Sequence, residues 1–231
     1  MILYNSMMKN KTIWAVFLLI VTTLFFFYPA LQNGFVNWDD QGLIIKNMEI
    51  QNLSIANINR IFTFEYAKTI NQYHPLVFLL FMTEYHLFGL DAVGFHGINI
   101  LFHCLNTLLI FWLILLLSRR ISWSLATALF FCLHPIHVQS VVWVTELKDL
   151  LYSFFFLAAL IAYWKYSQNK KHSTYLLCFI FSLFSALAKS MAMTLPFLFL
   201  LMDYYQEKEF KIKNIVEKIP FFLNQFIYYG R

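Results

Sequence analysis

Two adjacent carboxylates, Asp39 and Asp40, follow the first strongly apolar run of the chain. Trp38 precedes them, and Gly42 comes shortly after. A carboxylate near a membrane surface could act as a general base that takes the proton of a hydroxyl acceptor. An acidic loop at that surface, without a chemical role, would show the same pattern. The two aspartates are therefore candidate catalytic residues, and the rest of the chain must distinguish these interpretations.

A pair of histidines, His134 and His137, lies near the end of a later apolar run. Two imidazoles three residues apart, together with Asp40 or Glu146, could bind a divalent cation. Neutral histidines that cap a helix end would have the same spacing, and a role in orienting a sugar is a third interpretation. A metal site formed by Asp40, His134 and His137 is thus one of three alternatives.

Charged residues also stand at the edges of other apolar runs. Glu146 and Asp149 would stabilise the start of a helix through its dipole and its free N–H groups. Lys148 opposes the same dipole, and Lys189 is a lone cation between two apolar runs. Both lysines could bind the phosphate of a lipid-linked donor. Lysines that extend to lipid headgroups are the alternative.

Four polar side chains share one face of a predicted helix. They are His96, Asn99, His103 and Asn106. Their helical spacing places them on the same side, and polar groups within a span usually face the interior of a bundle. Hydrogen bonds between helices are the favoured interpretation, and a functional cavity wall is the alternative.

The composition indicates a membrane protein. The 231 residues are 60% hydrophobic and 13% charged, whereas a soluble domain carries about a quarter charged residues. Several apolar segments approach the roughly 20 residues that cross a bilayer. The net charge of +5 comes mostly from short loops, which indicates membrane topology and no nucleic-acid partner. The predicted fold class is all-α, a polytopic membrane helix bundle.

The sequence predicts a single, partial transmembrane domain over residues 1–231, with about six spans and one long outer loop. That loop, at about 32–92, carries an interfacial helix that starts at His74-Pro75. The predicted spans are about 13–31, 95–117, 122–138, 149–166, 174–187 and 193–204, before an incomplete seventh at about 219–229. The sequence shows no tetratricopeptide repeats, and its tail is typical of a truncated chain.

Basic residues give this arrangement an orientation. Lys9 and Lys11 precede the first span, and Arg119-Arg120 and residues 165–171 and 208–218 follow later spans. Because cytoplasmic loops are rich in Lys and Arg, the N-terminus is predicted to be cytoplasmic. The candidate site residues then share the opposite side, which would be the periplasm or cell exterior of a bacterial inner membrane.

Several motifs occur in an order typical of one family. They are Phe35-Val36-Asn37-Trp38-Asp39-Asp40, Tyr73-His74-Pro75-Leu76, the His96/Asn99/His103/Asn106 face, His134-Pro135-Ile136-His137-Val138-Gln139-Ser140-Val141 with Trp143, Lys148-Asp149, and Leu187-Ala188-Lys189-Ser190-Met191-Ala192-Met193-Thr194-Leu195-Pro196. Together they resemble the multi-span part of the transmembrane and tetratricopeptide-repeat O-mannosyltransferases and their bacterial relatives. These belong to the GT-C glycosyltransferases. The resemblance covers about 13–222.

The resemblance implies transfer of a sugar, mannose-like, from a polyprenyl-phosphate donor in the membrane lipid to a protein or glycan hydroxyl outside the cytoplasm. The reaction would invert the sugar in one displacement, so either Asp39 or Asp40 would suffice as base. The residues that would bind substrate are Trp38, His134, His137, Glu146, Lys148 and Lys189. The polar cavity face would consist of His96, Asn99 and His103. No cofactor is firmly implied, and a divalent cation is a candidate.

Two features differ from the family pattern. Leu147 stands where the family often has an arginine, a cation that would help to bind the donor phosphate. Relatives also continue through further spans, so a separate C-terminal half would be a partner. The second hypothesis is an inactive truncated remnant or a non-enzymatic membrane scaffold. A transporter, for which an internal repeat is typical, is the third.

Overall fold

The computed structural model describes residues 2–207 and 212–225, and this part of the chain is helical with no β-strand. The α-helices are α1 (Ile2–Phe27), α2 (Ile55–Ile61), α3 (Phe64–Ile70), α4 (Pro75–Phe88), α5 (Ala92–Ser118), α6 (Ile121–Leu133), α7 (His137–Val142), α8 (Leu147–Asn169), α9 (His172–Ala188), α10 (Leu195–Glu207), α11 (Ile212–Val216) and α12 (Ile219–Gln225). Short 3-10 or π turns occupy Tyr28–Gln32, Gln41–Ile45, Val144–Glu146 and Ser190–Thr194. The predicted all-α class is confirmed.

Two helical segments are long and apolar enough to cross a membrane, Lys9–Gln32 and Ala92–Ser118. Shorter apolar helices include α4, α6 and α9. The 13 residues of α6 extend only about 20 Å along a helix axis, whereas a bilayer core is roughly 30 Å thick. The chain is a membrane protein, and its six-span topology stays a prediction.

The observed helix ends follow local chemistry. Helix α6 ends at Leu133, short of the predicted end near Val138, because Pro135 lacks an N–H and disfavours helical backbone at His134. The chain becomes helical again at His137, in α7. Lys208, Lys211 and the end of the predicted seventh span lie outside the described residues.

The chain forms two compact units. The first comprises residues 1–46 and 88–150, and the second comprises residues 47–87 and 151–231. The outer loop predicted at 32–92 therefore contributes to both units. Within it, the structure contains two short helices, α2 and α3, in addition to α4.

In the first unit, α1, α5 and α6 pack against one another. The centre of this packing is formed by Ala15, Leu19, Phe111 and Ala128. The two alanines allow the helices to approach closely, as small residues do in membrane helix pairs. The Thr23 hydroxyl adds a polar contact at 3.2 Å from the Cys132 sulfur. These contacts fix α1 against α5 and α6.

In the second unit, aromatic rings pack between α8, α10 and α12. The Tyr163 ring stacks on Phe199 with centroids 4.3 Å apart, and Phe221 meets Phe199 edge-on at 5.0 Å. The Ser185 hydroxyl of α9 donates to the Tyr152 carbonyl of α8 at 3.1 Å. A hydroxyl hydrogen bond of this kind joins neighbouring helices where water is excluded.

Candidate active site

The Asp40 carboxylate is buried, with 1% of the residue exposed, and both of its oxygens accept hydrogen bonds. One oxygen accepts the Val36 backbone N–H at 2.9 Å. The other accepts the Trp143 indole N–H at 2.9 Å and the Thr145 backbone N–H at 3.3 Å. Because all three donors are uncharged, the carboxylate is held firmly while its negative charge has no cationic partner among them.

Two local features place these donors around Asp40. The chain from Val36 to Asp40 forms a tight turn, which brings the Val36 N–H back onto the side chain four residues later. Trp143 and Thr145 lie at the corner between α7 and α8, where extended and 3-10 backbone replaces regular helix. The free backbone N–H groups of such corners need acceptors, and Asp40 supplies one.

Asp39, the neighbouring carboxylate, has a different environment. It is half-buried, and it has no hydrogen-bond or ion-pair partner among the residues that the structure describes. Trp38 before it is 74% exposed. The pair therefore consists of one anchored carboxylate and one that is available to an incoming hydroxyl. Hydrogen-bond reach to the reacting proton is the first requirement of a general base.

His96 is the residue of the predicted polar face that interacts with Asp40. It is 1% exposed, and its side chain interacts electrostatically with the Asp40 carboxylate. A functional cavity wall along this face of α5 stays a prediction.

The other residues of that face bind backbone carbonyls of neighbouring segments. The Asn99 amide donates to Trp143 at 3.0 Å and also reaches the carbonyls of Val141 and Val144. The Asn106 amide donates to Leu150 at 2.9 Å, and the His103 Nε2 lies 3.1 Å from the Cys132 carbonyl. The Asn99 hydrogen bonds hold the α7–α8 corner, and so indirectly the donors to Asp40, whereas those of His103 and Asn106 join α5 to α6 and α8.

His134 and His137 are neighbours, with ring centroids 6.1 Å apart. The His134 Nδ1 accepts the Ile136 backbone N–H at 3.2 Å, which is a turn-capping contact. Among the described residues, no group of three His, Cys, Asp or Glu side chains could hold a metal ion. The candidate set of Asp40, His134 and His137 is therefore not assembled, and the His134 side chain caps the turn after α6.

Glu146 and Lys148 form an ion pair at 3.1 Å. Both side chains are largely buried, with 11% and 15% exposed. The pair explains the cation at the start of α8 without a phosphate, because Glu146 already neutralises it. The Asp149 carboxylate accepts the Ser140 hydroxyl at 3.2 Å and so ties α7 to α8.

Lys189 lies in the second unit, whereas the other predicted site residues lie in the first. It is half-buried in extended backbone between α9 and a 3-10 turn, and its N–H donates to the Ser185 carbonyl at 3.0 Å. The structure therefore describes Lys189 separately from Asp39 and Asp40.

One buried polar cluster was not predicted. In the second unit, the Asp203 carboxylate accepts the Tyr163 hydroxyl at 2.6 Å and forms an ion pair with Lys218. Lys218 is fully buried, and its ammonium lies 5.0 Å from the Tyr163 ring centroid. Asp203 is a lone acid at the end of an apolar run. An ionisable residue in such a place indicates a buried polar site, so the sequence could have predicted this cluster.

The chain was compared with known proteins, and it is similar in sequence to several of them. It is 28% identical over 174 residues to protein O-mannosyl-transferase Tmtc1 of Drosophila melanogaster, which covers 71% of this chain and 20% of that protein. It is 30% identical over 168 residues to protein O-mannosyl-transferase TMTC4 of Homo sapiens, covering 64% of this chain and 23% of that protein. For the tmtc2 protein of Xenopus laevis, the identity is 30% over 150 residues, covering 62% and 18%.

The chain thus spans about a fifth of the length of these curated relatives. No family model matches the sequence, and no solved structure matches the chain. The relatives are all O-mannosyl-transferases by name, and they align over most of this chain. The comparisons confirm the resemblance to the transmembrane and tetratricopeptide-repeat O-mannosyltransferases that the ordered motifs predict.

Proposed function

We propose that the chain contributes the acceptor-activating site of a GT-C type membrane glycosyltransferase. The enzyme transfers a mannose-like sugar from a polyprenyl-phosphate donor to a hydroxyl of a protein or glycan outside the cytoplasm. The observation that carries the proposal is the pairing of an anchored Asp40 with an unpartnered Asp39. The names of the relatives supply the reaction class.

Asp39 acts as the general base in this proposal. Its carboxylate takes the acceptor hydroxyl proton while the acceptor oxygen forms a bond to the anomeric carbon. The bond from that carbon to the donor phosphate oxygen breaks, and polyprenyl phosphate leaves with the electron pair. A single displacement of this kind inverts the anomeric centre and needs one base. General-base catalysis contributes roughly 10²–10⁴ in rate.

Asp40 is a positioning residue. Its two oxygens are occupied by three N–H donors, so it has little capacity to accept a substrate proton. It fixes the segment that carries Asp39 against the α7–α8 corner. A base held by a rigid neighbour keeps its geometry during the reaction, and this positioning increases the reaction rate.

The donor phosphate would meet the outer polar residues. Lys148 is the cation of the first unit near this corner, and Glu146 neutralises it at 3.1 Å. A donor phosphate could share Lys148 with Glu146, since an ammonium has three donor hydrogens.

The topology of the proposal has six spans with a cytoplasmic N-terminus. The segments Lys9–Gln32 and Ala92–Ser118 are two of these spans. The segment that bears Asp39 follows the first of them directly. Its distance from Lys11 along one spanning helix supports a location on the side opposite the N-terminus.

Sugar transfer in membranes tests the proposal. Membranes that contain the full chain are supplied with a polyprenyl-phosphate-mannose donor and hydroxyl acceptors, and transfer is measured by radiolabel. We expect transfer by the unmodified chain and a loss of roughly 10²–10⁴ in rate for Asp39→Asn. Glu65→Gln, which alters an exposed carboxylate on α3, is the matched control and keeps the full rate. Absence of transfer by the unmodified chain would instead support a non-enzymatic scaffold.

A further inference from the structure

A groove opens on the first unit where the start of α1 meets the turn between α5 and α6. It encloses about 600 Å³, a volume typical of small-molecule sites at roughly 300–1,000 Å³. Its cations are Lys11, Arg119 and Arg120, and no acidic residue is among the described residues that line it. The groove is distant in sequence from Asp39, and the proposed function makes no use of it.

The three cations have no ion-pair partner among the described residues. All three side chains are exposed, so their charges remain available. Arg119 also has left-handed backbone, with φ of 57°. A non-glycine residue in this conformation carries a cost in conformational energy. The turn nevertheless places two successive arginines at the same opening.

The walls of the groove are apolar and belong to membrane-type helices. Trp14, Leu18 and Leu125 line it, and Trp14 is 68% exposed. The groove lies near Lys9, where one candidate span starts, and beside Ser118, where the other ends. A groove at this level has its charged rim in the headgroup region and its apolar wall beside acyl chains.

We propose that this groove binds one anionic phospholipid of the leaflet on the N-terminal side. The phosphodiester lies among Lys11, Arg119 and Arg120, and an acyl chain follows Leu18 and Leu125. The preferred ligand is not a zwitterionic headgroup, because three cations without an acidic residue would repel its ammonium group. Basic pockets between spanning helices bind anionic headgroups by the same chemistry. The uncapped start of α6 beside Arg120 adds partial positive charge.

Attraction of lipid by an excess of cations on the cytoplasmic side can be distinguished from binding in a specific groove. Lipid binding by diffuse attraction depends only on the number of charges. Lipid binding in a groove depends on the positions of the charges and on the open volume of the groove. Lys165, Lys170 and Lys171 supply the matched control, because they are exposed cations of the second unit and outside the groove. Lys170 even shares the left-handed backbone of Arg119.

Fluorescence quenching by brominated phosphatidylglycerol tests the proposal. The full chain is placed in phosphatidylcholine vesicles with increasing brominated phosphatidylglycerol, and the Trp14 contribution is obtained by comparison with Trp14→Phe. We expect saturable quenching of Trp14 at low phosphatidylglycerol content, whereas brominated phosphatidylcholine at equal content should give only the weaker, non-saturable quenching of a side chain that is 68% exposed to bulk lipid. The variant K11Q/R119Q/R120Q should bind about a hundredfold more weakly, at roughly fivefold for each cation. The control K165Q/K170Q/K171Q should remain within about twofold.

A second variant separates charge from shape. Ser122→Trp fills the groove at an exposed lining residue and leaves all three cations in place. It should abolish saturable binding, whereas diffuse attraction would persist. Equal loss in the groove variant and the lysine control, or saturable binding by Ser122→Trp, would overturn the proposal. Displacement by millimolar inorganic phosphate would also overturn it, in favour of a free-phosphate site.

Discussion

Each unit buries one aspartate among its described residues, and the two carboxylates are satisfied by different partners. Asp40 accepts three N–H groups that carry no formal charge. Asp203 accepts the Tyr163 hydroxyl and pairs with the Lys218 ammonium. The second cluster contains its own cation, as a buried structural pair requires, and the Glu217 carboxylate lies 3.8 Å from the same ammonium. The first cluster keeps its negative charge beside Asp39, which suits a site that handles a proton.

The largest expected effect is on the structural cluster. Lys218→Met leaves the Asp203 carboxylate buried without its cation, which should lower the free energy of unfolding by about 3–5 kcal/mol. Thermal unfolding of the purified chain in detergent, followed by tryptophan fluorescence, measures this change. The double variant Lys218→Met/Asp203→Leu should recover part of the loss, since only the less buried Glu217 carboxylate, 3.8 Å from the Lys218 ammonium in the unmodified chain, then lacks its cation. An equally unstable double variant would show that the ion pair itself supplies stability.

A smaller loss of stability is expected for Asp40. Asp40→Asn replaces one acceptor oxygen by an NH₂ group that faces N–H donors, which should cost about 1–3 kcal/mol. Trp143 reports the change directly, because its indole N–H loses or alters its acceptor. A shift in Trp143 fluorescence, identified by comparison with Trp143→Phe, accompanies the lower unfolding temperature. An unchanged Trp143 signal with unchanged stability would mean that Asp40 does not anchor the loop.

Glu84 is a third buried carboxyl group, and it has neither the N–H donors of Asp40 nor the cation of Asp203. It is 1% exposed in α4, and neither oxygen has a hydrogen-bond partner among the described residues. Burial raises the pKa of the Glu84 carboxyl well above its usual range. The folded chain therefore holds this proton to higher pH than the unfolded chain does. Stability should fall as the pH rises from the ordinary glutamate pKa towards the raised one.

Glu84→Gln removes this pH dependence. At neutral pH the variant should be more stable than the unmodified chain, by on the order of 1 kcal/mol. Unfolding temperatures between pH 4 and pH 8 measure the effect, and Glu65→Gln, an exposed carboxylate of α3, is the control. If both variants followed the same pH profile as the unmodified chain, Glu84 would have to be ionised and satisfied in the folded state.

The sequence predicts helices well where apolar runs and end signals agree. Helix α5 starts after Asp91, whose carboxylate accepts the Val93 N–H at 3.0 Å, and it ends before Arg119. Helix α4 starts at Pro75, a favoured first residue. The short helices α2 and α3 were not predicted, because each is only 7 residues long and carries no long apolar pattern.

The sequence predicts which residues belong to the candidate site, but it does not predict which residues they contact. Asp39 and Asp40 are conspicuous in the sequence, yet nothing local shows that Trp143 and Thr145, more than 100 residues later, donate to only one of them. Such a pairing depends on how α5, α7 and α8 pack. The charge pattern places Lys218 in a cytoplasmic loop, whereas its burial depends on packing with Tyr163, which a charge pattern does not reveal.

The division of roles between Asp39 and Asp40 is tested most directly by comparing sugar-transfer rates and unfolding temperatures of Asp39→Asn and Asp40→Asn. We expect Asp39→Asn to lose roughly 10²–10⁴ in transfer rate while its unfolding temperature and Trp143 fluorescence match those of the unmodified chain. Asp40→Asn should lose stability and shift Trp143 fluorescence, with a smaller loss of rate in the fraction that remains folded. A stable Asp40→Asn chain without transfer activity, beside a fully active Asp39→Asn chain, would contradict the account and make Asp40 the base.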